Sequence, residues 1–353
     1  MSRLDSFSRR LFAAKMLVTG SLLLAPELQA QPRSDSQRFD KTKLTISVDG
    51  KSALSYLPLT MALQLGFFSI EGLDVQIIDM VDAVSASQAL INGTADVCSG
   101  AFDRTLALPS KSQLFKAFVL QGRTPQLAFG VSSRNLPYLG MAELRSKKIG
   151  VTSLDSTSAV MVNLLLQREG LAAQDVVWVS VGSAAGALNA LRTGQIDAIC
   201  NNDPVMTVLE QKGDIKIIHD ARSLRGTSEL FGGLIPSACL YAPLDFVQRH
   251  PQTCQALANA IVHSLKWLQT AGPSDIINTV PASYLLGDRA LYLAAFNKIR
   301  ESISLDGLVP DEGALAALRA RSRFDSTLLA AKTDVAKCYT NEFARRAKSR
   351  FRA

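Results

Sequence analysis

Apolar and polar residues alternate along several short segments of the chain, which is the pattern of strands with one buried face. The segment 43–49 is the first example, and an apolar stretch over 56–66 follows it and ends in glycine, as many helices do. Strand and helix patterns alternate in this order, which predicts mainly parallel strands covered by helices. The predicted strands are 43–49, 73–80, 95–99, 114–121, 126–132, 148–152, 175–181, 196–201 and 215–219.

The predicted elements fall into two α/β units that are joined by two extended crossings. The second crossing, 231–242, contains Gly232, Gly233 and Pro236, and the pattern after residue 243 is helical. We therefore expect an α/β protein of two lobes, the first formed by 41–130 together with 235–340 and the second by 131–234. Ligands of such sheets bind at the carboxyl ends of the strands, so the cleft between the lobes is the expected site.

Length and charge narrow the function classes. A chain of 353 residues exceeds the usual size of one domain, in agreement with two lobes. The net charge of +7 lies mostly in the first thirty residues and in the basic end, 341–353, so the folded body is close to neutral. This distribution is against nucleic-acid binding, which needs a basic folded face. The basic end is expected to be the solvated end of the last helix, with a membrane-surface or partner contact as the alternative.

The N-terminus has the pattern of an export signal. Arg9 and Arg10 are followed by Leu11 and Phe12, and then by a moderately apolar stretch over 16–25. The arginine pair is typical of the twin-arginine type, and an ordinary Sec signal is the alternative. We expect cleavage after Ala30 and a soluble protein of the periplasm.

Four motifs, in order, resemble one family of proteins. They are Tyr56-Leu57-Pro58-Leu59 with the following Leu65-Gly66-Phe67-Phe68 and Glu71-Gly72-Leu73-Asp74-Val75, then 89–96, 144–151 and 190–198. The chain resembles the substrate-binding proteins of ABC importers for nitrate, sulfonate and taurine, a superfamily that includes binders of thiamine precursors. The resemblance implies a type II periplasmic-binding-protein fold, with two parallel-rich sheets and a ligand cleft. It also implies a small-molecule ligand and a permease of the inner membrane as partners. We expect a monomer without a cofactor.

The fourth strand-to-helix junction carries the sharpest signal. Ser153, Asp155, Ser156 and Thr157 open the long predicted helix, where hydroxyls, free backbone N–H groups and the helix dipole favour an anionic group. Helix capping without any ligand is the alternative. The fourteen expected ligand-binding residues are Ser52, Ser55, Tyr56, Gly100, Ala101, Phe102, Asp103, Gln121, Ser153, Asp155, Ser156, Thr157, Asn202 and Asp203.

The acidic and aromatic residues of this set leave the ligand class open. Asp103, Asp155 and Asp203 either cap helices or accept hydrogen bonds from an amine, an amidine or a ring N–H. Tyr56 and Phe102 either stack on a ligand ring or belong to the core.

The expected cleft lacks the residues that catalysis would need. The loop after the first strand has no Cys, and none of the three His residues falls at a cleft junction. No spacing typical of metal ligands occurs, so we expect neither a metal nor an enzyme. A secreted enzyme of the same fold, desulfinase-like or pyrimidine-synthase-like, and a receptor for a membrane sensor are the alternatives.

Overall fold

The protein is described by a computed structural model that covers residues 40–106, 114–134, 140–325, 328 and 333–353. The predicted export signal, 1–30, lies outside these residues. Two five-stranded sheets form the framework. The first has the order β2-β1-β3-β10-β4 and defines lobe I, and the second has the order β7-β6-β8-β5-β9 and defines lobe II. The strands are β1 Lys43–Asp49, β2 Asp74–Met80, β3 Val97–Ala101, β4 Phe115–Leu120, β5 Leu127–Ser132, β6 Lys148–Val151, β7 Val177–Ser180, β8 Ala198–Asn202, β9 Ile215–Ala221 and β10 Ala238–Pro243.

Each sheet is mixed and follows the same plan. Three strands pair in parallel, namely β2, β1 and β3 in lobe I and β7, β6 and β8 in lobe II. One strand in each sheet, β10 or β5, is antiparallel to both of its neighbours. Strand β5 follows the first crossing, 121–126, and β10 forms the end of the second. The chain therefore enters each sheet against the direction of the other strands. The expected lobe boundary at residue 130 falls inside β5, which pairs with β8 and β9 and belongs wholly to lobe II.

Each lobe also has a structural aspartate at the equivalent position. Asp96 accepts a hydrogen bond from the backbone N–H of Thr45 at 3.0 Å, and Asp197 accepts one from the backbone N–H of Lys148 at 2.9 Å. Each carboxylate thus fixes the strand that follows a helix against its parallel neighbour. The repeated Gly-x-x-Asp pattern reflects this pairing of strands and does not place either residue at the cleft.

Thirteen α-helices are described, and two of them, α2 and α7, were not expected. The helices are α1 Leu57–Gln64, α2 Phe67–Ile70, α3 Ala83–Ile91, α4 Thr157–Arg168, α5 Ala185–Arg192, α6 Val205–Gln211, α7 Leu224–Phe231, α8 Leu244–Arg249, α9 Pro251–Thr270, α10 Pro273–Thr279, α11 Arg289–Ile299, α12 Asp311–Ser322 and α13 Glu342–Phe351. Sequence reasoning missed α7 because Gly226 weakens the helix pattern. A Cβ at this glycine would lie 1.8 Å from the Asp220 carbonyl oxygen, so close packing requires glycine there.

Two C-terminal helices connect the lobes, whereas all of them were expected on lobe I. On α11, Tyr292 and Phe296 pack in the lobe I core, but Leu291 packs with the α5 and α6 side of lobe II. On α12, Ala317 packs with the lobe I core and Ala320 with the α4 side of lobe II. The reason is their small or aliphatic faces on both sides, which bury apolar surface against each lobe.

No helix in the described part of the chain has the length and hydropathy that a bilayer-spanning segment requires. Within the same residues, no group of three or more His, Cys, Asp or Glu side chains is placed to hold a metal ion.

Candidate functional site

A small cavity lies where the carboxyl ends of the parallel strands of both lobes meet. Its volume is about 50 Å³, which is room for a few water molecules. The walls come from the ends of β1, β3 and β8, from the start of α4 and from the two crossings. The lining residues are Asp49, Ser55, Tyr56, Ala83, Ala101, Asp103, Arg104, Pro125, Leu127, Thr152, Ser156, Thr157, Ser158, Asn202, Ser237 and Ala238. Residues of both lobes thus line the cavity.

A second, larger cavity of about 540 Å³ lies beside the first, also between the lobes. Gly50 and Asp82 line it from lobe I, and Val181 and Gly182 line it from lobe II. Gly50 and Asp82 directly neighbour Asp49 and Ala83 of the small cavity in the sequence, so the two cavities lie close together on the lobe I side.

Seven of the fourteen residues expected from the sequence line the small cavity. They are Ser55, Tyr56, Ala101, Asp103, Ser156, Thr157 and Asn202. The structure therefore brings together residues that follow the ends of β1, β3, β6 and β8. Direct contact of these side chains with a ligand remains a prediction.

Three of the other expected residues belong to the lobe I core. Phe102 is fully buried and packs edge-on against Tyr339, with ring centroids 6.1 Å apart. Gly100 lies inside β3, where a Cβ would be 3.1 Å from the ring of Tyr241. Gln121 donates to Ser99 Oγ at 2.9 Å and accepts from the backbone N–H of Leu59 at 3.1 Å, so its side-chain amide joins elements of lobe I. Of the two roles considered for Phe102, the surroundings of its ring are those of a core residue.

Asp203, Ser52 and Ser153 also lie outside the cavity lining. Asp203 is buried in lobe II, where it accepts from the backbone N–H of Thr207 at 2.8 Å, and burial raises the pKa of this carboxyl against the opposing effect of Arg222. Ser52 is half-buried in a turn. The buried Ser153 Oγ has no hydrogen-bond partner among the described residues.

The serine hydroxyls at the start of α4 form most of their hydrogen bonds within the same turn of the chain. Ser156 accepts weakly from the backbone N–H of Ala159 at 3.4 Å, and it donates to the Ser153 carbonyl oxygen at 2.6 Å. Its Oγ also lies 2.6 Å from Ser158 Oγ, which in turn accepts from the backbone N–H of Thr152 at 3.0 Å. Ser156 is therefore the N-cap of α4, although it lines the cavity.

Four charged side chains from three parts of the chain meet beside the cavity. Asp103 and Arg104 follow β3 in lobe I, Asp155 precedes α4 in lobe II, and Arg321 lies on α12. Arg104 Nη1 is 2.6 Å from Asp155 Oδ2, and Arg321 Nη1 is 3.1 Å from Asp103 Oδ2. Arg321 also donates to Asp155. We name these four residues the interlobe cluster.

In the interlobe cluster, Asp155 pairs with both arginines, whereas one oxygen of Asp103 has no partner among the described residues. Burial opposes ionisation of Asp155, but Arg104 and Arg321 outweigh it and hold the pKa of this carboxyl below its usual value. Thr157 Oγ1 donates to Asp103 Oδ2 at 3.0 Å. The other oxygen, Asp103 Oδ1, is buried and has no hydrogen-bond partner in the described part of the chain.

A second carboxylate, Asp49 at the end of β1, lines the cavity from lobe I. Tyr56 donates its hydroxyl to Asp49 Oδ1 at 2.5 Å. Burial raises the pKa of Asp49 to about 6, while the Tyr56 hydrogen bond and the charge of Arg104 act in the opposite direction. This group can therefore change its charge between mildly acidic and neutral solution.

The cysteines near the strand ends lack the surroundings of reactive thiols. Cys98 and Cys200 are fully buried. Burial raises the pKa of Cys98 to about 12, and it also raises the pKa of Cys200. Reactive thiols instead have lowered pKa values and are accessible.

Three charged residues of this site, Asp49, Arg104 and Arg321, are not among the fourteen expected from the sequence. Asp49 and Arg104 lie at junctions that the strand pattern had located, so their position at strand ends was an available signal. Arg321 comes from a helix 166 residues after Asp155, and no local pattern indicates that approach.

The family of the chain follows from a comparison with family models. The model described as NMT1/THI5 like matches residues 54–272, which is more than half of the chain. The protein belongs to the NMT1/THI5-like family. No match to a curated protein was found. The family agrees with the resemblance that the sequence motifs indicated.

Solved structures agree with this membership. A protein from Bordetella bronchiseptica RB50 is 51% identical and covers 90% of this chain and 100% of its own, with a TM-score of 0.86. The aliphatic sulphonate binding protein SsuA from Escherichia coli is 15% identical and covers 84% of this chain and 97% of its own, with a TM-score of 0.62. The nitrate-binding protein NrtA from Synechocystis PCC 6803 is 14% identical and covers 88% and 89%, with a TM-score of 0.65. The last two similarities show that the chain has the periplasmic-binding-protein fold.

Proposed function

We propose that this protein is the solute-binding component of an ABC importer, which captures a small polar molecule between its lobes and delivers it to a permease. The periplasm is the proposed compartment, in line with the predicted export signal. The family, the two-lobed fold and the names of the binding proteins that share it support this proposal. Closure of two lobes around a ligand gives affinity when the ligand contacts both of them.

One observation carries the proposal: the unfilled oxygen of Asp103. The residue is 7% exposed, it lines the cavity between the lobes, and its Oδ1 lacks a donor among the described residues. A buried polar atom without a partner costs about 1–3 kcal/mol, and more when it is charged. Such an atom at an enclosed cavity is the place where a ligand donor stabilises the complex.

The same geometry indicates the chemical class of the ligand. Thr157 at the first turn of α4 already donates to a carboxylate of the protein, Asp103, and the adjacent Asp155 lies between two arginines. Carboxylates therefore match the terminal nitrogens of both arginines, although Arg321 Nε has no partner among the described residues. Asp103 Oδ1 has unfilled acceptor capacity. We infer a ligand that presents N–H donors, such as an amine, an amidine or an aminopyrimidine. Nitrate and simple sulfonates offer only acceptors and would face this oxygen unfavourably.

A pair of ions with the same shape and opposite charge tests the ligand class. Guanidinium and nitrate are both flat and threefold symmetric. We expect millimolar guanidinium, compared with equal KCl, to raise the melting temperature, because binding to the folded state stabilises it by mass action. Nitrate is expected to leave the melting temperature unchanged. 4-Aminopyrimidine and methanesulfonate, which has no N–H group, extend the comparison to larger solutes.

The outcomes separate the two parts of the proposal. Stabilisation by nitrate or methanesulfonate without any effect of guanidinium and 4-aminopyrimidine would contradict the ligand class and leave solute binding intact. Failure of every polar solute in a broad thermal-shift screen would contradict solute binding itself.

A further inference from the structure

The interlobe cluster depends on a residue that belongs to neither sheet. Arg321 lies near the end of α12 and is only 4% exposed. Its guanidinium reaches Asp103 of lobe I at 3.1 Å and also donates to Asp155 of lobe II. One cation thus bridges carboxylates from opposite sides of the cleft.

The helix that carries Arg321 is itself anchored on both lobes. Ala314 and Ala317 pack with the lobe I core, and Ala320 packs with the lobe II core formed around α4. The packing of α12 therefore fixes the backbone of Arg321 between the lobes, and only its side chain can still change conformation.

Charge balance explains why this position matters. Asp103 and Asp155 carry two negative charges across the cleft, and Arg104 alone cannot neutralise both. Like charges held close in a partly buried site repel strongly. With Arg321 present the four charges sum to zero, and the second carboxylate oxygen of Asp103 is buried without a partner among the described residues.

We propose that Arg321 is a positioning residue for the ligand: it ties the two lobes together and holds Asp103 so that Oδ1 faces the bound solute. This inference adds a role for the C-terminal helix to the proposed function. The tie between the lobes does not require any ligand, so it can be measured separately from solute binding.

The distance between the lobes is the direct readout. Val81 on lobe I and Val177 on lobe II are exposed, and all five native cysteines are buried. Spin labels on V81C and V177C therefore report the interlobe distance by double electron–electron resonance in the full chain. We expect R321Q to shift this distribution to longer distances without ligand. The matched control is R319Q, which removes an exposed charge from the same helix and is expected to leave the distribution as in the parent protein.

A second variant tests the tie if R321Q folds poorly. D155N changes a side chain that is 54% exposed, and it removes the lobe II partner of both arginines. It should also shift the distribution to longer distances, although it changes the net charge in the opposite direction.

The binding readout distinguishes positioning from mere folding. The probe is the neutral 4-aminopyrimidine, because guanidinium could replace the deleted side chain between Asp103 and Asp155. R321Q should raise the dissociation constant of 4-aminopyrimidine at least about tenfold, and R321K should recover part of that loss because it keeps the charge. Distance distributions of R321Q and D155N that match the R319Q control would overturn the inference. If R321Q and D155N lengthen the interlobe distance but the parent protein does not bind the probe, the result would support the tie between the lobes. It would also count against the proposed ligand class.

Discussion

Two buried arginine clusters illustrate how the same residue types serve different purposes in this fold. Arg222, at the end of β9, is 1% exposed and donates to Asp203, Glu210 and Asp220. Arg321 is almost as buried, but its partners lie on opposite lobes. The first cluster is internal to lobe II apart from Lys298 of α11, which donates to Glu210 at 2.5 Å.

The difference lies in what each cluster leaves unpaired. The guanidinium of Arg222 uses Nε, Nη1 and Nη2, and Thr207 accepts from Nη1 at 3.2 Å. In the interlobe cluster, Asp103 Oδ1 and Arg321 Nε have no partner among the described residues. A satisfied cluster fixes the shape of one lobe, whereas an unsatisfied one at an interlobe cavity leaves capacity for a ligand.

The largest expected effect comes from breaking the satisfied cluster. R222M leaves Asp203 buried without its cation, and removal of one partner of a buried ion pair costs about 3–5 kcal/mol. We expect the free energy of unfolding, measured in urea, to fall by that amount. The control R225Q changes an exposed arginine of α7 that pairs with Glu229, and it should cost less than about 0.5 kcal/mol. A loss for R222M no greater than that of R225Q would contradict the structural role of the first cluster.

A smaller effect is expected from pH, because Asp49 lines the small cavity together with Tyr56 and Arg104, and Asp82 of the larger cavity acts on its charge. Its pKa of about 6 in the folded protein exceeds the usual 3.8, so the folded state holds a proton that the unfolded state has lost between about pH 4 and 6. The contribution of Asp49 to stability therefore decreases as the pH rises through this window.

The same ionisation should change ligand affinity in the opposite sense. A cationic probe binds the ionised carboxylate better, so affinity for guanidinium should increase about tenfold between pH 5 and 7. The variant D49N should lack this pH dependence in isothermal titration. An unchanged slope in D49N would mean that another group is responsible.

The smallest effect tests the hydroxyls at the start of α4. Ser156 is the N-cap of this helix and bonds within its own turn. S156A should therefore lower the free energy of unfolding by about 1 kcal/mol without a change in guanidinium affinity. A weaker affinity at unchanged stability would instead show that this hydroxyl serves the ligand.

The sequence sufficed for the parts of the fold that local patterns encode. Strand β1 has the expected bounds, and the junctions at the ends of β1, β3, β6 and β8 were located because strand periodicity and glycine stops are local signals. The resemblance to solute-binding proteins was confirmed by the family match. The helix α7 was missed, since Gly226 is required by a tertiary contact that no local pattern shows.

Half of the residues expected from the sequence line the small cavity, because tertiary contacts, which no local pattern shows, decide the position of the others. Strand ends alternate between core and cleft, so Phe102 and Ala101 are neighbours but only Ala101 lines the cavity. Asp155 was expected as a cap or a ligand contact, and the structure shows it between two arginines instead. Arg321 reaches the cleft through the long-range packing of α12, which depends on the complete fold.

The most direct test of the account is the binding of guanidinium to Asp103. Isothermal titration of the parent protein and of D103N measures whether Oδ1 accepts from the solute. A hydrogen bond to a charged group contributes about 1.5–3 kcal/mol, so D103N should raise the dissociation constant about 10- to 150-fold. D74N, which changes an exposed carboxylate on β2, is the control and should bind like the parent protein. Equal affinity of D103N and the parent protein would contradict the claim that this unfilled oxygen holds the ligand.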